Sequence, residues 1–334
     1  MVASPLELGG PTRFKVAAGF AAIYLIWGTT YLGIRFAIDT IPPFLMGGMR
    51  FVFAGVALYA WARARGAARP RLFEWGTAGI VGALMFLGGQ GGVVWAEQRV
   101  PSGLTAVMIA LVPFWMLLMN WVRPGGSRPS ARSLVGLAVG FAGVLLLVGP
   151  FWRGGAGSLD PWGLAAIILS TVCWAAGSLY TRSARLPSSV RLATAMEMLM
   201  GAVFLLGVGS ARGEWSRLAV GQISLRSGLA LAYLVVFGSL IALTAYTWLL
   251  SVSTPARVST YAFVNPAIAV FLGWAFADET LSPRTLLAAV VIVAAVAIVV
   301  TGQSQTAGHG PEPTPAELVD LVPEGVVPMQ DPDD

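Results

Sequence analysis

Three ionisable side chains lie in or at the edge of long apolar runs: Arg50, Glu97 and Glu197. A charge at the bilayer centre costs about 2.5–3.5 kcal/mol on insertion scales, so such residues face a bundle interior or a wet pathway. Arg50 and Glu197 each fall about seven residues into their runs, roughly 10 Å deep at the helical rise. Two readings stay open for Arg50: a structural role through snorkelling or local pairing, or a part in coupling. For Glu197 and Glu97 the functional reading is a carboxylate that exchanges a proton.

Aromatic and polar residues supply the second set of candidates. Trp27, Tyr31 and Arg35 are spaced by four and share a helix face, as do Trp174, Ser178 and Arg182. A stripe mixing ring, hydroxyl and cation is poorly suited to lipid, so it faces protein or an aqueous cavity. The bland alternative is a packing seam with interfacial anchors, since Trp and Tyr also gather at the headgroups. Trp27 and Trp174 lie deeper than such a belt, which favours the cavity.

Gln90 sits within Gly88-Gly-Gln-Gly-Gly92 and shares a face with Glu97, with Trp95 between them. A buried amide needs partners, which either a solute or a neighbouring helix can supply. The glycines themselves, like Gly136 and Gly140, suit close helix packing. Tyr261 and Asn265 form a polar ledge beside Pro266, and Trp248 follows Thr244 by one turn. Pro113 and Pro266 read as helix bends, each freeing a carbonyl.

Other chemistry is excluded by what the chain lacks. His309 is the sole histidine and lies in a polar tail, Cys173 is the sole cysteine, and Lys15 is the sole lysine. A Ser-His hydrolase, a His/Cys zinc site and a Walker A nucleotide engine therefore have no parts within the apolar body. No metal, cofactor or catalytic set is expected, and carboxylates are too scarce for a general acid–base site.

The elements that position these residues follow from composition. Hydrophobic residues make up 56% of the 334 and charged residues 11%, against roughly a quarter charged in soluble domains. The bilayer must be the solvent. With about 20 apolar residues per crossing, spans fall near 14–38, 43–62, 75–96, 103–122, 131–151, 161–182, 190–209, 227–250, 257–277 and 284–302. The first is too long for a signal-peptide core and reads as a retained span.

The net charge of +5 is nearly all arginine. Arginines cluster in alternate short loops, as the positive-inside rule requires, so both termini are placed in the cytoplasm and nucleic acid is not an expected partner. Arg212, Arg217 and Arg226, in a loop assigned outside, run against that pattern. Residues 303–334 carry seven acidic and no basic side chains among many prolines. Such a segment reads as a disordered, acidic, Pro-rich cytoplasmic tail.

The chain also resembles itself. At a shift of 147 residues, Trp27…Arg35 falls on Trp174…Arg182, and Met49-Arg50-Phe51 falls on Met196-Glu197-Met198. Two tandem five-helix units, 1–151 and 152–302, would enter the membrane with opposite topology because five is odd. Inverted repeats with a site at their interface are a common plan of secondary transporters.

At this point Ile23-Tyr-Leu-Ile-Trp27-Gly-Thr-Thr-Tyr31, Ala96-Glu97, Val100-Pro-Ser-Gly103, Phe237-Gly-Ser239 and Tyr261-Ala-Phe-Val-Asn265-Pro266 bear on identity. Together they resemble the EamA family of the drug/metabolite transporter superfamily, over residues 14–302. The resemblance implies an all-α polytopic membrane protein of ten helices in a 5+5 inverted repeat. It also implies a cavity built from spans 1, 3, 4, 6, 8 and 9. One departure is Arg123-Pro-Gly-Gly126, where the second half has Asp278-Glu279-Thr280; any role needing an acid at both symmetric ends is in doubt.

The expectation is therefore an inner-membrane secondary transporter, an exporter of small metabolites such as amino acids or cationic amphiphiles. Trp27, Tyr31, Gln90, Trp95, Trp174, Ser178, Trp248, Tyr261 and Asn265 are its lining candidates. Protons, a small-molecule solute and lipid are the expected partners, with oligomeric state open. An uncoupled facilitator fits nearly as well; a receptor or assembly subunit and a membrane-embedded enzyme are the remaining alternatives.

Overall fold

The computed structural model describes residues 13–123, 128–148, 160–253, 258, 261–279 and 282–307. These form helices α1 (Arg13–Ala37), α2 (Pro43–Ala64), α3 (Leu72–Ala96), α4 (Ser102–Val122) and α5 (Ala131–Val148). After residue 160 come α6 (Pro161–Ser183), α7 (Val190–Ala211), α8 (Leu225–Val252), α9 (Tyr261–Phe276) and α10 (Pro283–Ala307). Among the described residues seven are long and apolar enough to cross a membrane: α1 to α4 and α6 to α8. The other three carry shorter apolar stretches, Ala131–Gly143, Val264–Phe276 and Leu286–Ala295.

Local chemistry sets the helix ends. Pro43 opens α2 at a position where its missing N–H loses nothing. Asp160 caps α6 by accepting from the Trp162 amide at 2.8 Å, and Ser224 caps α8 from the Ser227 amide at 3.1 Å. At the far end α10 continues to Ala307 rather than stopping at 302. Gln303 to Ala307 contain no proline, so the helical backbone can extend past the apolar run. The rest of the expected tail, 308–334, lies outside the described residues.

Three helices depart from regular α geometry. Gly82–Gly91 of α3 and Leu234–Leu243 of α8 are wound as π-helix. α4 breaks at Ala110 and Leu111 into Ser102–Ile109 and Val112–Val122. The break falls where Pro113, with no N–H, cannot bond the Ile109 carbonyl. Pro266, by contrast, lies inside a continuous α9.

The helices pack as neighbours from distant parts of the chain. α2 runs along α7 and α5 along α10; α3 packs on α6 and α7, while α8 packs on α1 and α2. Gly88 permits the α3–α6 contact: a Cβ there would stand 2.7 Å from Cys173 Sγ. Large apolar side chains such as Leu25, Phe53, Leu229 and Val290 point away from the protein. That outward belt is what a lipid solvent tolerates and water does not.

Candidate functional site

Four rings from four helices meet at the centre. Trp27 of α1 lies edge-on to Trp174 of α6 (5.7 Å between centroids, 80°) and to Tyr261 of α9 (5.2 Å, 87°). Tyr246 of α8 completes the knot, 4.9 Å from Trp27 and 5.6 Å from Trp174. Edge-to-face pairs contribute about 0.5–1.5 kcal/mol each beyond the area they bury, so the cluster pins the four helices. Ser178, one turn beyond Trp174, hydrogen-bonds the Tyr246 hydroxyl at 2.8 Å.

The two π stretches meet this centre with their glycines. Trp27 Nε1 donates to the Gly238 carbonyl at 3.2 Å, and Ser170 Oγ donates to the Gly89 carbonyl. π-helical turns recur at functional sites because they shift side chains and carbonyls out of the α register.

Beside the rings is a small cavity of about 40 Å³. α1 supplies Trp27, Thr30, Tyr31 and Ile34, and α3 supplies Gly89, Gln90 and Val93. Ile109 and Val112 flank the break in α4; Ser170 and Trp174 come from α6, Tyr261 from α9, and Arg50 from α2. Solute sites are usually apolar with a few placed polar groups, and this lining has that character.

Five of the nine lining candidates thus converge: Trp27, Tyr31, Gln90, Trp174 and Tyr261. The others lie elsewhere. Trp95 sits under the Arg99 guanidinium (4.2 Å), Ser178 supports Tyr246, and Trp248 packs against Gly19. Asn265 is buried; with its amide nitrogen donating, it reaches the Tyr24 and Tyr261 carbonyls at 3.0 and 3.3 Å. Thr30, Ser170, Ser239 and Tyr246 were not singled out from sequence. A usable signal existed for the last two: seven residues apart on α8, they share a face as Gln90 and Glu97 do on α3.

The charged residues separate. Arg50 reaches the cavity, while Glu97 and Glu197 are buried with no hydrogen-bond partner for either carboxylate oxygen among the described residues. No ion pair joins Arg50 to Glu197 there.

One end of the bundle is tied by polar contacts. Asp278 turns with φ of 53°, a left-handed conformation that Asp tolerates, and swings Glu279 onto the start of α4. Glu279 accepts from the Ser102 amide and hydroxyl, both at 2.6 Å, and from the Gly103 amide at 2.9 Å. Nearby, Arg99 pairs with Asp160 at 2.8 Å, and Arg35 donates to the Glu97 carbonyl at 3.3 Å. Glu214 accepts from the Leu45 amide at 2.9 Å.

Apolar helices bundled around a small chamber of rings, amide and guanidinium define a polytopic membrane protein built to handle a solute. The chain belongs to the EamA-like transporter family, whose model matches residues 15–149 and again 161–301, and so to the drug/metabolite transporter superfamily. It is a membrane transporter. YedA of Escherichia coli K12, named an uncharacterized inner membrane transporter, is 40% identical over 283 residues, 84% of this chain and 89% of that protein. PagO of Salmonella typhimurium is 27% identical over 271 residues, 78% and 84% of the two chains. A solved crystal structure matches with a TM-score of 0.61 at 21% identity, over 86% of this chain and 98% of that one. That likeness is one of fold.

Proposed function

We propose that this protein is a secondary transporter of the inner membrane that exports small metabolites by alternating access. The observation that carries the reading is the cavity: residues of 1–151 and of 152–302 line it together, Trp27, Arg50 and Gln90 from one half, Trp174 and Tyr261 from the other. Ten spans in a 5+5 inverted repeat are supported by the tandem family match and by π stretches in both α3 and α8. Rocking of the halves would then expose the chamber to each side in turn.

With both termini cytoplasmic, the end tied by Glu279–Ser102 and Arg99–Asp160 is the outer one. Opening outward requires those ties to part. Proton coupling is assigned to Glu97 or Glu197, the two buried carboxylates with no hydrogen-bond partner among the described residues.

The test is flux in proteoliposomes of labelled amino acids and of cationic dyes across an imposed pH gradient. Accumulation that follows the gradient supports a proton-coupled exporter. Downhill flux alone makes it a facilitator, and no flux of any solute counts against transport of these classes.

A further inference from the structure

Arg50 is 3% exposed, yet no ion pair engages its charge among the described residues. Its Nε donates to Ser239 Oγ at 2.8 Å, and its guanidinium carbon sits 4.9 Å from the Phe51 ring centroid. No hydrogen bond or ion pair among the described residues engages the two terminal amino groups, and both ion pairs found there lie elsewhere, Arg99–Asp160 and Arg217–Glu214. Arg50 lines the cavity together with Gln90 and Thr30. Gly238 makes room for it, since a Cβ there would come 2.9 Å from Nη2.

A buried cation without a counterion is costly, and arginine does not escape by losing its proton. A purely structural arginine would spend its five donors on carbonyls and side chains around it, whereas this one spends Nε alone. Its remaining donors form the planar fork that matches a carboxylate two-to-two.

We propose that Arg50 is the anion subsite of the cavity and that the solute bears a carboxylate on an apolar or aromatic body. This rests on the reading of the cavity as the solute site. The body would lie against Trp27, Trp174 and Tyr261 once the chamber of about 40 Å³ opens to admit it, while the carboxylate supplies the missing counterion. Aromatic walls alone would welcome an organic cation, but the Arg50 charge in the same chamber repels one. The substrate class thus narrows from amino acids or cationic amphiphiles to carboxylates, free or zwitterionic.

The test uses the full chain in lipid nanodiscs and three probes of matched shape: hydrocinnamate, phenylpropanol and phenylpropylamine. Calorimetric titration near neutral pH is expected to find hydrocinnamate bound at least about tenfold more tightly than the other two, a factor equal to about 1.4 kcal/mol. Arg50→Gln should level the three affinities, and Arg50→Lys should keep the order with a smaller margin. Equal binding, tighter binding of the amine, no binding of hydrocinnamate, or an unchanged preference in Arg50→Gln overturns the proposal. The wild-type comparison decides even where Arg50→Gln does not fold. Carboxylate preference without flux in proteoliposomes would uphold the subsite and count against transport; flux of the amine with no carboxylate preference would do the reverse.

Discussion

Trp27 on α1 donates its indole N–H to the Gly238 carbonyl on α8, 3.2 Å away and 211 residues along the chain. Ser170 on α6 does the corresponding thing to Gly89 on α3. Each π stretch therefore presents a glycine carbonyl to a helix of the other half. The irregular turns are one of the places where helices of residues 15–149 and of 161–301 hold one another.

Trp27→Phe keeps most of the ring contact but removes the indole donor to the Gly238 carbonyl, which keeps its backbone bond within the helix. The net loss of one such hydrogen bond costs about 0.5–1.5 kcal/mol. Thermal unfolding of the purified protein in detergent should show a lower midpoint, and Trp27→Ala, which also removes ring contacts, should lower it further. An unchanged midpoint in both variants would mean the centre does not couple the halves.

Glu279→Ala removes the acceptor for two amides at the start of α4. Loss of such a cap costs about 0.5–2 kcal/mol. Hydrogen exchange at the Ser102 and Gly103 amides should accelerate, while exchange at α7 should not. Glu279→Gln retains one acceptor and should fall between.

Gly88→Val sets a branched side chain where Cys173 Sγ already stands 2.7 Å from a bare Cβ. Overpacking of this kind costs about 1–3 kcal/mol. The expected result is a lower unfolding midpoint, partly restored by Cys173→Ala, which opens space on the facing helix. Failure of that second change to restore stability would place the strain elsewhere.

Glu97→Gln and Glu197→Gln replace buried carboxylates that have no hydrogen-bond partner. Neither change removes a hydrogen bond among the described residues, so both variants should melt close to the wild type in neutral buffer. If one of them is the proton carrier, its Gln variant should lose the dependence of flux on the pH gradient. Flux that still follows the gradient in both variants would remove the coupling assignment.

Much of the molecule is written in the order of residues. Apolar runs long enough for lipid, with arginines between them, locate the helices within a few residues because hydration and helix length are local constraints. The spacing of Trp27 from Tyr31 places both on one face, and Gly88 to Gly92 announces a close approach. Five of the nine lining candidates line the chamber for that reason. Periodicity, however, says which face a residue occupies and not which helix that face will meet. Trp95 and Gln90 are five residues apart in the same run, yet one lies under Arg99 and the other lines the cavity. Only the packed bundle decides that Arg50 finds Ser239 and no carboxylate among the described residues, that Glu279 reaches across 177 residues to cap α4, and that two glycine-bearing stretches wind as π-helix. These outcomes depend on long-range contacts that fix side chains against one another once all the helices are in place. The sequence alone determined a helical membrane protein and its polar stripes; the tertiary structure decided which of them meet, because burial and counterion supply are properties of neighbours and not of the residue itself.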